Sequence, residues 1–133
     1  MVEFPLAVTA LYAGLNALIM MAIALQIPGH RRRTRIGLGL GDDVALRWRV
    51  RAHGNNAEYV PYALILIGIL ELAGEPSWLL HVLGVALTLG RVLHPIGLSI
   101  SPGVTAWRVV GMVLTWAAIL VGAVACLRLT LLG

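Results

Sequence analysis

The sequence predicts an all-α fold, an integral membrane four-helix bundle, and three observations predict it. Of 133 residues, 59% are hydrophobic and only 12% are charged, about half the charge of an ordinary soluble domain, and the mean hydropathy is +0.90. The apolar residues fall into four runs, from about Pro5 to Ile27, Asn55 to Ala73, Trp78 to Leu98 and Val104 to Leu131. Each run is close to the roughly 20 residues a helix needs to cross about 30 Å of hydrocarbon. Between the runs stand "IPGH", "AGEPSW" and "SISPG", whose proline and glycine mark loops. Membrane strands would need only about 10 residues each and an in–out alternation, which is not seen. The length suits one domain, residues 1–133.

The first run opens "MVEFPLAVTALYAG". It lacks a basic n-region and is not read as a cleaved signal. Asn16, in its middle, reads as interhelical glue. The loop that follows, "HRRRTRIGLGLGDDVALRWRVR", carries seven arginines. Its "GLGLGDD" reads as a turn, with Asp42 or Asp43 capping a helix that continues into the second run. Arg33, Arg35 and Arg47 read as snorkelling to headgroups. The connection between the second and third runs has no basic residue. The positive-inside rule therefore places the arginine loop in the cytoplasm. Both termini and "AGEPSW" then face the other side. Trp48 and Trp107 fall near one interface and Trp78 near the other, as an aromatic belt would. In the last two runs Gly84, Gly111, Ala118 and Gly122 permit close helix approach. Arg128 reads as snorkelling at the far end, Cys126 as an apolar filler, and His81 has no evident partner.

Several functions are disfavoured. All ten basic residues are arginine and the net charge is +4. They cluster beside apolar runs, so a membrane surface suits them better than nucleic acid. A lone cysteine makes neither an intrachain disulfide nor a cysteine metal cluster. His53 and His94 are one ligand short of a zinc site.

The informative feature is polar residues at one depth. Glu58 enters the second run by one turn, preceded by Arg51 and Asn55 on a stripe about 60° wide that also holds Tyr62. Arg91 and His94 lie on the third run and Arg108 on the fourth, all near the arginine-loop end. Ionisable groups inside a span cost roughly 2.5–3.5 kcal/mol each, so they are usually paired or line a wet cavity. One carboxylate cannot balance several guanidiniums. A structural Glu58–Arg91 pair and a site for an anionic guest both stay open at this point.

With "RAHGNNAEYVPY", residues 51–62, opening the second span and "RVLH", residues 91–94, in the third, the chain resembles the MAPEG family of membrane-associated proteins in eicosanoid and glutathione metabolism. The matched motif is Arg51, Asn55 and Glu58, followed by Tyr59 and Pro61, and the likeness extends through the whole chain in span number and loop placement. The resemblance implies a homotrimer binding glutathione as co-substrate between neighbouring subunits, near the cytoplasmic leaflet. It implies that Arg51, His53, Asn55, Glu58 and Tyr59 contact the peptide, with Glu58 on its ammonium, and that Arg91 and His94 add further contacts. Arg31 or Arg32 would reach a glutathione carboxylate, and Arg108 would face the thiol as the catalytic group. No metal is implied. One departure stands out: Leu98 occupies a position where the family often has a tyrosine. The implied activity is a glutathione transferase acting on a lipophilic electrophile or a lipid hydroperoxide; because no organelle address is visible in the sequence, a bacterial inner membrane is the expected setting. The alternatives are a small-molecule carrier, or a structural protein whose arginines bind anionic lipid. Against the carrier, a through-pathway would leave ionisable residues at the midplane of several spans, and only Asn16 lies near there.

Overall fold

The computed structural model describes residues 4–131. The expected domain limits, 1 and 133, lie outside the described residues. Four helices account for nearly all of it: α1 (Ala7–Thr34), α2 (Val44–Leu72), α3 (Ser77–Ile100) and α4 (Ala106–Leu131). No strand occurs among the described residues.

The helix ends show why the chain turns where it does. Arg35 ends α1 at φ 58°, in the left-handed region. Asp43 starts α2, its Oδ1 accepting from Leu46 N at 2.8 Å, so of the two expected caps it is Asp43 that serves. Its Oδ2 meets His30 Nε2, also at 2.8 Å, tying the end of α1 to the start of α2. At the far end Gly74 takes φ 77°. Gly74 N donates to Glu71 O and Glu75 N to Leu70 O, both at 3.0 Å. This is the paired closure of a Schellman turn, which a side chain at Gly74 would strain.

The helices alternate in direction. Glu71, near the end of α2, accepts from Val8 N and Thr9 N at the start of α1, at 2.8 and 2.7 Å. Tyr12 of α1 bonds His81 Nδ1 of α3 at 2.9 Å, and Arg128 of α4 pairs with Glu75. One end of the bundle therefore gathers the start of α1, the end of α2, the start of α3 and the end of α4. The other end gathers the arginine loop, the 101–105 loop and the start of α4.

Three helices, α1, α3 and α4, are long and apolar enough to cross a membrane. The expectation that all four qualify is corrected. The second run, Asn55 to Ala73, holds Asn55, Asn56, Glu58 and Glu71, and these offset its apolar residues. Yet α2 is 29 residues long, about 43 Å at the helical rise, and bonds to α1 at both ends. It runs the same length as its neighbours, with Tyr62, Ile65 and Leu72 exposed on its outer face.

The core is thin and lies along the bundle axis. Val60, Ala63, Leu87 and Ala118 fill its middle. Ile67, Leu70, Leu80 and Leu83 fill the far end, where Cys126 packs as expected of a filler. Ile23, Ala52 and Leu98 fill the arginine end. Large apolar side chains such as Leu18, Leu120 and Trp116 face outward, as a hydrocarbon solvent permits. Lipid tails are as apolar as leucine, so cohesion must come from close packing and hydrogen bonds. Both are present. A Cβ on Gly84 would lie 2.2 Å from the Tyr12 ring, and one on Gly90 2.6 Å from Gly111 O. Asn16 Nδ2 bonds Tyr12 O at 2.9 Å and Thr88 Oγ1 of α3 at 3.0 Å, so it joins two helices at mid-depth.

Candidate functional site

Arg91 is the largest fully buried side chain, and its partners are neutral. One Nη1 donates to Asn55 Oδ1 at 2.7 Å and to Asn55 O at 3.5 Å. Nη2 donates to Thr115 Oγ1 at 2.6 Å and to Met112 Sδ at 3.6 Å. The guanidinium carbon lies 5.8 Å from the Tyr59 ring centroid, within cation–π range. Nε has no partner among the described residues. Arg91 thus clamps α2 to α4 across α3.

Glu58 is not part of that clamp. It is exposed on the outer face of α2, as are Arg51 and Tyr62, whereas Asn55 turns inward. The expected stripe straddles the edge of the bundle, so the Glu58–Arg91 pair left open by the sequence does not form. The ion pairs found among the described residues are His30–Asp43 and Arg128–Glu75.

Arg51 and Arg108 do come together. They line a cleft of about 370 Å³ at the arginine end with Arg47, Trp48, Leu98 and Ser101. Three arginines line this cleft and no carboxylate does. Trp48 is capped on its face by Arg49, whose guanidinium lies 4.4 Å from the ring centroid. His94 is buried and His53 and Tyr59 are half-buried, and none of the three lines the cleft. Arg31 Nη1 donates to Ile36 O at 3.2 Å and to Gly39 O at 2.9 Å, holding the loop, while Arg32 is exposed.

Arg108 owes its place to two neighbours. It is the third residue of α4, and its N–H donates to Thr105 Oγ1 at 3.3 Å. Thr105 Oγ1 donates in turn to Gly97 O at 3.0 Å, in the last turn of α3, where carbonyls lack helical partners. A Cβ on Gly97 would lie 2.3 Å from Arg108 N. The ends of the two helices therefore touch backbone to backbone.

Charge patterning alone does not single out Thr105, Thr115 or the cleft role of Arg47. Two signals point to the threonines. Thr105 is a capping residue just before an apolar run. Thr115 lies seven residues, or about two turns, beyond Arg108 and so on nearly the same face.

A bundle of antiparallel helices with apolar outer faces and a cationic cleft at one end is an all-α membrane protein. The chain belongs to the MAPEG family, whose sequence profile matches residues 9–128. It is similar to the inner membrane protein YecN of Escherichia coli K12, with 36% identity over 113 residues that cover 85% of each chain. YecN of Escherichia coli O6:H1 matches to the same extent. No solved structure matches significantly.

Proposed function

We propose that the protein is a glutathione-dependent membrane transferase. The observation that carries this reading is the cleft with Arg47, Arg51 and Arg108 on its walls and no acid among its lining. Glutathione brings two carboxylates, an ammonium and a thiol. Arginine binds carboxylate through two parallel hydrogen bonds, strongly where water is excluded. Arg51 and Arg32 suit the carboxylates, with Arg31 restrained by its loop carbonyls. Glu58, two turns from Arg51 on the same outward face, suits the ammonium. Asn55 and His94 are buried and Tyr59 and His53 half-buried behind that face, so their part in this reading is to set the packing of α2 against Arg91 rather than to line the cleft. Because Arg51 and Glu58 face outward, the peptide lies on the outside of one bundle. Such a site fits a homotrimer in which neighbouring copies close over it.

Arg108 supplies the chemistry. A free thiol titrates near 8.5, leaving only about 3% thiolate at pH 7. A guanidinium close to the sulfur favours the charged form. A shift of about two units is worth about 2.7 kcal/mol and makes thiolate the majority. Arg108 transfers no proton in doing so; the thiol proton leaves to water. The thiolate sulfur then attacks an electrophilic carbon dissolved in the bilayer. A C–S bond forms, and the leaving group departs with its electron pair. With a lipid hydroperoxide the sulfur attacks oxygen and the O–O bond breaks. The alkoxide released takes a proton to become the alcohol, leaving a glutathione sulfenic acid, which a second glutathione thiol converts to glutathione disulfide and water. Leu98 lines the cleft where a tyrosine could have donated a hydrogen bond, which leaves the thiolate to Arg108.

The carrier reading has less support. The mid-depth polar groups Asn16, Thr88 and Thr115 are engaged with one another's helices and with backbone carbonyls, not aligned along a pore.

The test is a titration of the purified protein in detergent with glutathione, following thiolate ultraviolet absorption. A stoichiometric signal at neutral pH is expected. In Arg108→Ala the signal is expected to vanish and turnover to fall by about 10²-fold or more, with glutathione affinity changing only a few-fold. Equal loss of affinity and turnover would mean that Arg108 merely holds the peptide. Binding without any thiolate signal in the parent protein would overturn the transferase reading.

A further inference from the structure

We propose that Gly97 and Thr105 are positioning residues for Arg108, setting where its guanidinium stands in the cleft. This inference rests on the transferase reading and deepens it.

The geometry is specific to one turn of each helix. Thr105 Oγ1 makes two bonds at once, accepting from Arg108 N at 3.3 Å and donating to Gly97 O at 3.0 Å. One hydroxyl therefore closes the start of α4 and the end of α3, satisfying a backbone group of each. Gly97 lets the two ends meet. A Cβ there would stand 2.3 Å from Arg108 N, 2.8 Å from Arg108 Cα and 2.6 Å from Thr105 Oγ1. Two of these three atoms are backbone, so a flexible side chain cannot swing aside to make room. Non-bonded heavy atoms settle at about 3.5 Å. A methyl group at position 97 must therefore push the first turn of α4 away from α3 by roughly 1 Å.

Arg108 begins from that turn, and its side chain reaches a cleft whose opposite walls belong to α2 and to the end of α3. Any shift of the turn changes the distance between the guanidinium and a thiol bound in the cleft. Coulomb attraction falls with that distance, and a misplacement of about 1 Å can lower turnover by about 10²-fold. Gly90 and Gly111 pack α3 against α4 further along the same seam. A Cβ on Gly111 would lie 2.7 Å from His94 N. The helices thus remain in register when only the 97–105 contact is perturbed.

The experiment compares Gly97→Ala, Thr105→Val and Thr105→Ser with the parent protein in detergent. It reads thermal stability, glutathione affinity and the pH midpoint of the bound-thiolate absorbance. Thr105→Val keeps the shape and removes the hydroxyl; Thr105→Ser keeps the hydroxyl. In Thr105→Val the midpoint is expected to rise by about one pH unit, a tenfold fall in the thiolate-to-thiol ratio. Its glutathione affinity should stay within about threefold, and Thr105→Ser should titrate like the parent. Gly97→Ala should raise the midpoint at least as far. If Gly97→Ala fails to fold, the valine and serine pair still decides. Folded variants that bind glutathione with an unmoved midpoint would overturn the positioning role while leaving the transferase intact. A parent protein with no thiolate signal would instead remove both.

Discussion

Arg91 is a buried cation whose neighbours are an amide, a hydroxyl, a thioether and an aromatic face. Removing it leaves Asn55 Oδ1 without its donor and opens a void among closely packed helices. Arg91→Ala is expected to destabilise the bundle by about 2–4 kcal/mol. Arg91→Met, which fills most of the volume, should cost clearly less, since a buried charge is often replaced by an apolar group with little loss. Thermal denaturation in detergent orders the two variants. From sequence the depth of Arg91 was legible, because its position in the third run is a matter of counting residues. Its partners were not. Glu58 is the only carboxylate at that depth and so the natural candidate, but a rotation of about 60° between Glu58 and Asn55 decides which of them faces inward. That rotation follows from how α2 packs on α3 and α4, where Gly122 of α4 lets Leu66 of α2 come close, a contact remote in the chain.

Helix ends carry the next scale of argument, and here the loop from Arg35 to Asp43 is the informative segment. The Asp43 carboxyl is held below the usual carboxylate range, chiefly by the Leu46 N–H it accepts and then by the His30 ring. Its native pKa is depressed, so its contribution to stability is complete above the ordinary value near 3.8. That contribution is lost as pH falls through the lower native value. Acid should therefore loosen this end of the bundle. Asp43→Asn keeps a capping oxygen but cannot titrate there. It is expected to flatten the acid limb of a melting-temperature-against-pH curve; an unchanged limb would assign acid lability to another group. The turn itself was readable from "GLGLGDD" and the choice narrowed to two aspartates. What separated them was His30, a partner thirteen positions back, which a local reading of caps does not weigh. The four elements and their order were all legible, because each run approaches the span of a bilayer and proline or glycine interrupts between runs. The run in α2 is less apolar than its Leu and Ile suggest, because Asn55, Asn56 and Glu58 open it and Glu71 nearly closes it.

At the scale of the whole molecule, antiparallel packing places the arginine loop and the 101–105 loop together, opposite the turn at Gly74. Single cysteines at Gly37→Cys and Ser77→Cys in a Cys126→Ala background should label from opposite sides of the membrane with an impermeant thiol reagent, and the positive-inside rule predicts Gly37→Cys to label from the cytoplasmic side. Labelling from one side would overturn the traverse of α2. The same packing carries a consequence for biogenesis. No side chain at Leu6 caps the first turn of α1; the acceptor for Val8 N and Thr9 N is Glu71, more than sixty positions downstream. While the ribosome is still making the second helix, the leading end of the first must keep its amides hydrated at the lipid surface. Full insertion of the hairpin is expected to await that carboxylate. Glu71→Leu should therefore reduce the yield of assembled protein in the membrane, even though it makes the nascent chain more apolar.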